Sequence, residues 1–205
     1  MPPAQVWESF FDAAGVFDAL GCQAQRGDVV EFGCGHGTFT VALAPRVSGT
    51  VYALDIDPEM VRATADRASD AKCNNIVVEQ RDFVAAGSGR ADGSVNYVLL
   101  FNILHIEDPV GLLREAHRIL RDGGTAAVIH WRHDVETPRG PPLEIRPRPQ
   151  QCSAWAEQAG LRFRSIHDFA KSPWHWGMLL ERVGSEPAVS SAYLSSVGTS
   201  RMKSE

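Results

Sequence analysis

The chain has 205 residues, 44% hydrophobic and 22% charged, with a net charge of −5 and four cysteines. One domain with a full core fits that length, and the acidic balance excludes a broad electrostatic grip on nucleic acid, which needs a basic face. Cys22, Cys34, Cys73 and Cys152 are scattered without a C-x-x-C pair, which argues against a disulfide framework or a structural zinc site and for a reducing, cytoplasmic setting.

Val6, Phe10, Ala13, Ala14 and Phe17 recur at helical spacing, so the pattern predicts an N-terminal helix over 6–21, closed by Gly21. Residues 28–32 read as a buried strand that runs into Gly33-Cys34-Gly35-His36-Gly37 and then into a helix, with Pro45 disturbing its end. Glycines at Gly33, Gly35 and Gly37 let a ligand approach the backbone closely, with Glu31 at the strand end. A second strand, 50–54, ends at Asp55. Asp57-Pro58-Glu59 then supplies an N-cap, a proline at the first helical position and an early acid.

A short strand over 76–78 leads to Arg81-Asp82-Phe83, and residues 84–94 read as irregular. Residues 95–101 form a nearly unbroken apolar run, the mark of a strand buried on both faces. Asp108-Pro109 starts another helix, ended by Asp122-Gly123-Gly124 before a strand over 125–129. Five alternations of strand and helix predict an open α/β sheet. The segment 131–151 holds five prolines and is a long excursion on the substrate side; four arginines face three acids within it. A helix over 153–159 and two β-like runs, 162–166 and 176–182, complete a single domain over 1–183. Residues 184–205 read as a serine-rich disordered tail. The N-terminus shows no leader pattern, and no apolar run approaches the ~20 residues of a membrane span.

The glycine spacing departs from the dinucleotide pattern G-x-G-x-x-G/A, because Thr38 stands at the third position. Glu31-x-Gly33-x-Gly35-x-Gly37 instead resembles motif I of the class I S-adenosylmethionine-dependent methyltransferases. Asp92-Gly93-Ser94-Val95-Asn96, Leu104-His105-x-x-Asp108-Pro109 and Leu120-Arg121-Asp122-Gly123-Gly124 are similar to the type-11 branch of that family. Asn96 stands where the family usually has a second acid.

The resemblance implies a Rossmann-like, mostly parallel sheet of seven strands with the last antiparallel and helices on both faces. It also implies S-adenosylmethionine as cofactor. Glu31, Gly33, Cys34, Gly35, Gly37, Asp55, Ile56, Asp82, Phe83 and Asn102 are the cofactor residues it points to, with Asp55 on the ribose hydroxyls, and Asp82 and Phe83 at the adenine. Cys34 reads as a small buried filler rather than a nucleophile.

His105, just past the fourth strand, is the candidate catalytic base, against the alternative of a histidine that only bonds its loop. Trp131, Arg132 and Arg146 are the candidate substrate residues, set against a self-paired loop. His130 and His133 form an H-x-x-H without a third ligand, so no metal is expected. The expected activity is methyl transfer to a small-molecule acceptor, with neither nucleic acid nor membrane expected as a partner. The rivals are a nicotinamide-dependent oxidoreductase and a non-catalytic binder of the same cofactor.

Overall fold

The computed structural model describes residues 4–22 and 26–184. The expected disordered tail beyond Gly184 lies outside them.

Seven strands form one sheet in the order β3-β2-β1-β4-β5-β7-β6. They are β1 (Val29–Phe32), β2 (Val51–Asp55), β3 (Ile76–Gln80), β4 (Val95–Phe101), β5 (Leu120–Trp131), β6 (Leu161–Asp168) and β7 (His175–Arg182). The first five pair in parallel, and β7 runs antiparallel to both β5 and β6. This is the expected architecture. The reversed strand, β7, is inserted between β5 and β6 instead of lying at the edge.

Local chemistry explains most boundaries. In β1 all four residues are buried, as a central strand covered on both faces requires. Helix α4 (Pro58–Asp70) begins where the Asp57 carboxylate accepts from the Glu59 amide at 2.8 Å, with Pro58 in the first turn. Helix α6 (Pro109–Ile119) starts the same way on Asp108. The His117 and Arg118 carbonyls of its last turn, and the Leu120 carbonyl just beyond it, receive hydrogen bonds from the Arg182 guanidinium, which closes the helix from a neighbouring strand. The Asp122-Gly123-Gly124 segment therefore does not end the helix, as expected from sequence. It falls within β5, and Gly123 takes a positive φ of 73° there.

The N-terminal segment corrects the expected single helix over 6–21. Two short helices stand there, α1 (Ala4–Glu8) and α2 (Ala13–Ala19). Asp12 starts the second by accepting from the Gly15 amide at 3.1 Å, and its own amide donates to Ser172 Oγ at 3.2 Å. A residue that caps a new helix cannot continue the old one. The remaining helices are α3 (Thr38–Leu43), which tightens into a 3₁₀ turn at Pro45, α5 (Phe83–Ala86) and α7 (Pro149–Gln158).

Each sheet face carries its own core. Leu112, Leu113, Ala116 and Ile119 of α6, with Cys152 and Ala156 of α7, pack on one side. Val16 and Phe17 of α2, with Phe39 and Leu43 of α3, pack on the other. The chain runs outward from β1 through β2 to β3, then returns to place β4 on the other side of β1. The carboxyl ends of β1 and β4 thus flank the point where strand order reverses, the place where open α/β sheets bind ligands.

Candidate active site

The glycine turn after β1 lies at that point, with backbone φ of +76° at Gly33, +54° at Gly35 and +73° at Gly37. A Cβ on Gly33 would stand 3.0 Å from the Ile103 side chain, and one on Gly37 would meet Thr64 at 3.1 Å. Thr64 Oγ1 on α4 donates to the Gly35 carbonyl at 2.8 Å, tying helix to turn. Asp55, at the end of β2, braces the same turn. Its Oδ2 accepts from the Gly35 amide at 2.9 Å and its Oδ1 from the Asp57 amide at 3.0 Å.

Glu31 is 2% exposed and accepts a short hydrogen bond, 2.5 Å, from Thr40 Oγ1. Burial pushes its carboxyl up to about 8, the Thr40 bond opposing and the Asp55 charge adding to the rise. A neutral acid is thus stored beneath the turn. Burial also holds the Cys34 thiol up at about 12, which removes it as a nucleophile.

Asn102 follows β4 with a left-handed φ of 55°, rare for a residue with a side chain. Its amide donates to the Ile129 carbonyl at 2.7 Å. Its side-chain Oδ1 and Nδ2 are both buried without a hydrogen-bond partner. An orphaned carboxamide costs roughly 1–3 kcal/mol per group, and this is the larger cost here, because asparagine tolerates the left-handed region better than most residues.

Asp82 is exposed and caps α5, its Oδ1 accepting from the Ala85 amide at 3.0 Å. The neighbouring Arg81 does not pair with it; the guanidinium donates to the Ala86 and Gly87 carbonyls. Phe83 departs from expectation. Only 6% exposed, its ring packs edge-on to Phe32 at 5.2 Å as part of the core, so it offers no free face. Ile56, 58% exposed beside Asp55, is the apolar side chain that the surface presents there.

The expected substrate residues are corrected in part. Arg146 is 7% exposed, and its guanidinium donates to the carbonyls of Pro141, Arg132, Val135 and Arg139 and to Thr137 Oγ1. All five donors are spent inside the excursion, so Arg146 organises that loop and has none left for a substrate anion. Trp131 is 1% exposed, enclosed by Trp7, Phe10, Phe11 and His175, the last with ring centroids 4.0 Å apart. It supports the wall from behind. Arg132 forms a two-point ion pair with Asp134, at 3.0 and 2.8 Å, on the surface.

His105 lies just beyond Asn102, half-buried, with burial lowering its pKa. Its Nδ1 is 3.3 Å from His130 Nε2. Sequence reading missed this contact: the two residues are 25 apart and meet only because β4 and β5 end side by side. Among the described residues no group of three or more His, Cys, Asp or Glu side chains is placed to hold a metal ion. α1 crosses the same end of the sheet, Glu8 pairing with Arg67 of α4 and Trp7 lying 6.2 Å from Trp131.

Comparison with known proteins agrees with this arrangement. Residues 29–124 match a family model described as a methyltransferase domain. A protein encoded in a Streptomyces fradiae transposon is 33% identical over 134 residues, which cover 63% of this chain and 37% of that protein. The chain spans less than half the length of either curated relative it matches. Among solved structures, an S-adenosylmethionine-dependent methyltransferase from Aquifex aeolicus shares the fold at a TM-score of 0.74, with 23% identity, 88% of this chain and 94% of that one covered. A Sulfolobus solfataricus protein described as a type 11 methyltransferase gives a TM-score of 0.61 at 27% identity, covering 78% of this chain and 86% of that one. Over residues 29–124 the chain is thus similar to methyltransferase domains, and it shares the fold of S-adenosylmethionine-dependent methyltransferases.

Proposed function

We propose that the protein transfers a methyl group from S-adenosylmethionine to a small-molecule acceptor. The observation that carries this reading is the set of unsatisfied acceptors and donors at the reversal point of the sheet. Asp55 holds the glycine turn with one lone pair of each oxygen and keeps the others for a vicinal diol. Asn102 presents a buried carboxamide with no protein partner, suited to a ligand's amino-acid end.

In this reading Gly33, Cys34, Gly35 and Gly37 line the cofactor with backbone, Glu31 faces its cationic part from below, and Asp55 takes the ribose. Ile56 and the free oxygen of Asp82 serve the adenine, with Phe83 contributing its backbone. When bound, the cofactor supplies a methyl group already made electrophilic by a sulfonium. The chain's own task is then to hold the acceptor in line and exclude water. Trp7 and Phe11, backed by Trp131, supply an apolar cover, and His105 stands on the acceptor side. The excursion around Arg132 borders that space.

All four cysteines are free, and no helix among the described residues is long and apolar enough to cross a membrane. Both fit the proposed cytoplasmic setting. The direct test is calorimetry with S-adenosylhomocysteine and, separately, with NAD(H). Saturable binding of the first, with methyl transfer to a small molecule from labelled S-adenosylmethionine, is the expected result. Binding of NAD(H) alone overturns the reading.

A further inference from the structure

The contact between His105 and His130 fixes where their protons are. His130 is fully buried at the end of β5. Its Nδ1 lies 3.4 Å from the Trp131 carbonyl oxygen, and its Nε2 lies 3.3 Å from His105 Nδ1, with the two rings near perpendicular at 82°. A carbonyl oxygen only accepts, so His130 carries its proton on Nδ1. Its Nε2 is then the bare nitrogen, and the proton between the rings belongs to His105 Nδ1. A neutral imidazole has one N–H. His105 Nε2 is therefore left as a free lone pair, and it makes no hydrogen bond among the described residues.

The surroundings keep both rings neutral. Burial lowers His105, and burial with the neighbouring His105 and Arg146 takes His130 down to about 3. Besides each other, the groups facing the pair are Arg146 from the excursion, His175 from β7, itself held neutral by burial and by the neighbouring His130 and Arg146, and the Trp176 ring stacked on His130 at 6.4 Å. None of these favours an imidazolium in the resting protein.

We propose that His105 Nε2 is the general base of the transfer, that His130 is the positioning residue which sets its tautomer, and that the acceptor is a weakly acidic hydroxyl, a phenol or enol. This rests on the methyl-transfer reading above. In the step, the acceptor oxygen forms a bond to the methyl carbon while the carbon–sulfur bond breaks, its electron pair staying on sulfur as a neutral thioether. The hydroxyl proton passes to His105 Nε2, and the imidazolium returns it to solvent as product leaves.

Acidity decides the acceptor class. A neutral amine attacks without prior loss of a proton and has no use for the lone pair. An imidazole takes the proton of a hydroxyl as weakly acidic as water, near 15.7, where a carboxylate behind the ring stabilises the imidazolium; behind His105 stands the neutral His130, which disfavours that acceptor. A phenol near 10 is within range.

Long-range proton–nitrogen NMR on the intact chain tests the first half without any turnover. His105→Gln and His130→Gln each delete one imidazole pattern and so assign the two signals among the seven histidines. At pH 7.5 both rings should be neutral with the proton on Nδ1. A charged His105, or one protonated on Nε2, overturns the proposal. In His130→Phe the His105 pattern should move away from the Nδ1–H form with S-adenosylhomocysteine affinity unchanged; if that variant does not fold, the wild-type spectrum still decides.

The second half uses labelled S-adenosylmethionine and a series of simple phenols, aliphatic amines and alcohols. His105→Gln should lose roughly 10²–10⁴-fold on un-ionised phenols and little on nitrophenols already ionised at pH 8. Transfer to amines or alcohols but not to phenols overturns the acceptor class, as does absence of transfer to every phenol. Loss of S-adenosylhomocysteine binding in the wild type would sink the methyltransferase reading instead, with the tautomers still readable.

Discussion

Asp55→Ala is the substitution that separates cofactor binding from local architecture most sharply. Each carboxylate oxygen accepts one backbone amide, Gly35 at 2.9 Å and Asp57 at 3.0 Å. A carboxylate offers about four lone-pair sites, so two remain for the two ribose hydroxyls. Hydrogen bonds to a charged acceptor contribute about 1.5–3 kcal/mol each. Asp55 is half-buried, so water competes for it, and the low end is the better guide. Two such bonds at the low end give about 3 kcal/mol, or roughly 10²-fold in Kd. The fold itself loses two turn-bracing bonds to the same charged acceptor, about 3 kcal/mol at the same low end, still below the stability of an ordinary domain. Asp55→Asn keeps one acceptor oxygen in place without the charge, and should fall between wild type and alanine. Calorimetry with S-adenosylhomocysteine reads the affinity, and thermal melting reads the fold. A lowered melting temperature in Asp55→Ala with Kd within threefold of wild type would show that Asp55 only braces the turn, and the ribose assignment would fall.

Glu31 should impose a pH dependence that Glu31→Gln removes. Folded, it keeps its proton to about pH 8; unfolded, it releases it near its ordinary 4.5. That stability is fully present below about pH 4.5 and is lost as pH rises towards 8, so urea midpoints should fall over this window more steeply in wild type than in the variant; parallel curves refute the burial argument. A cation placed against Glu31 favours its charged form, so binding S-adenosylmethionine at pH 7 should release a proton, seen as a buffer-dependent heat that Glu31→Gln lacks. Asn102→Gly removes both a left-handed side-chain residue and an orphaned carboxamide; it should stabilise the empty protein by about 1 kcal/mol while weakening S-adenosylhomocysteine, and a destabilised variant contradicts the strain reading. Arg146→Met strips five donors from the excursion, which should cost about 2 kcal/mol and speed limited proteolysis within 132–148; an unchanged cleavage pattern argues that other contacts hold the loop.

What the sequence made legible is what short-range chemistry decides. The buried run 29–32, the glycine turn, the Asp-Pro helix starts at 57–58 and 108–109, and the two-sided apolar strand 95–101 each depend on residues a few positions apart, and all appear in the structure. The places where the reading departs from the structure are those where a distant partner decides. α6 ends at Ile119 where Arg182, 64 residues beyond Arg118, supplies donors to the carbonyls of its last turn. The N-terminal helix breaks because Asp12 finds Ser172.

The same division runs through the candidate site. Arg146 reads from sequence equally as a substrate anchor or as part of a self-paired loop, because an arginine in a proline-rich loop shows no partner within a few residues. The carbonyls it binds are spread from Arg132 to Pro141 and face it only once the loop has folded back on itself. Phe83 shows the converse. Asp82 caps α5, and that cap sets the direction of the first helical turn; the ring beside it is thereby aimed at Phe32 and the core, not at the surface. The motif order leads to the expectation of an adenine contact at this segment, while the cap decides where the ring points. A residue's place in a binding motif thus predicts where its backbone lies, whereas its side chain answers to the nearest unsatisfied surface, which for Phe83 is apolar and inward.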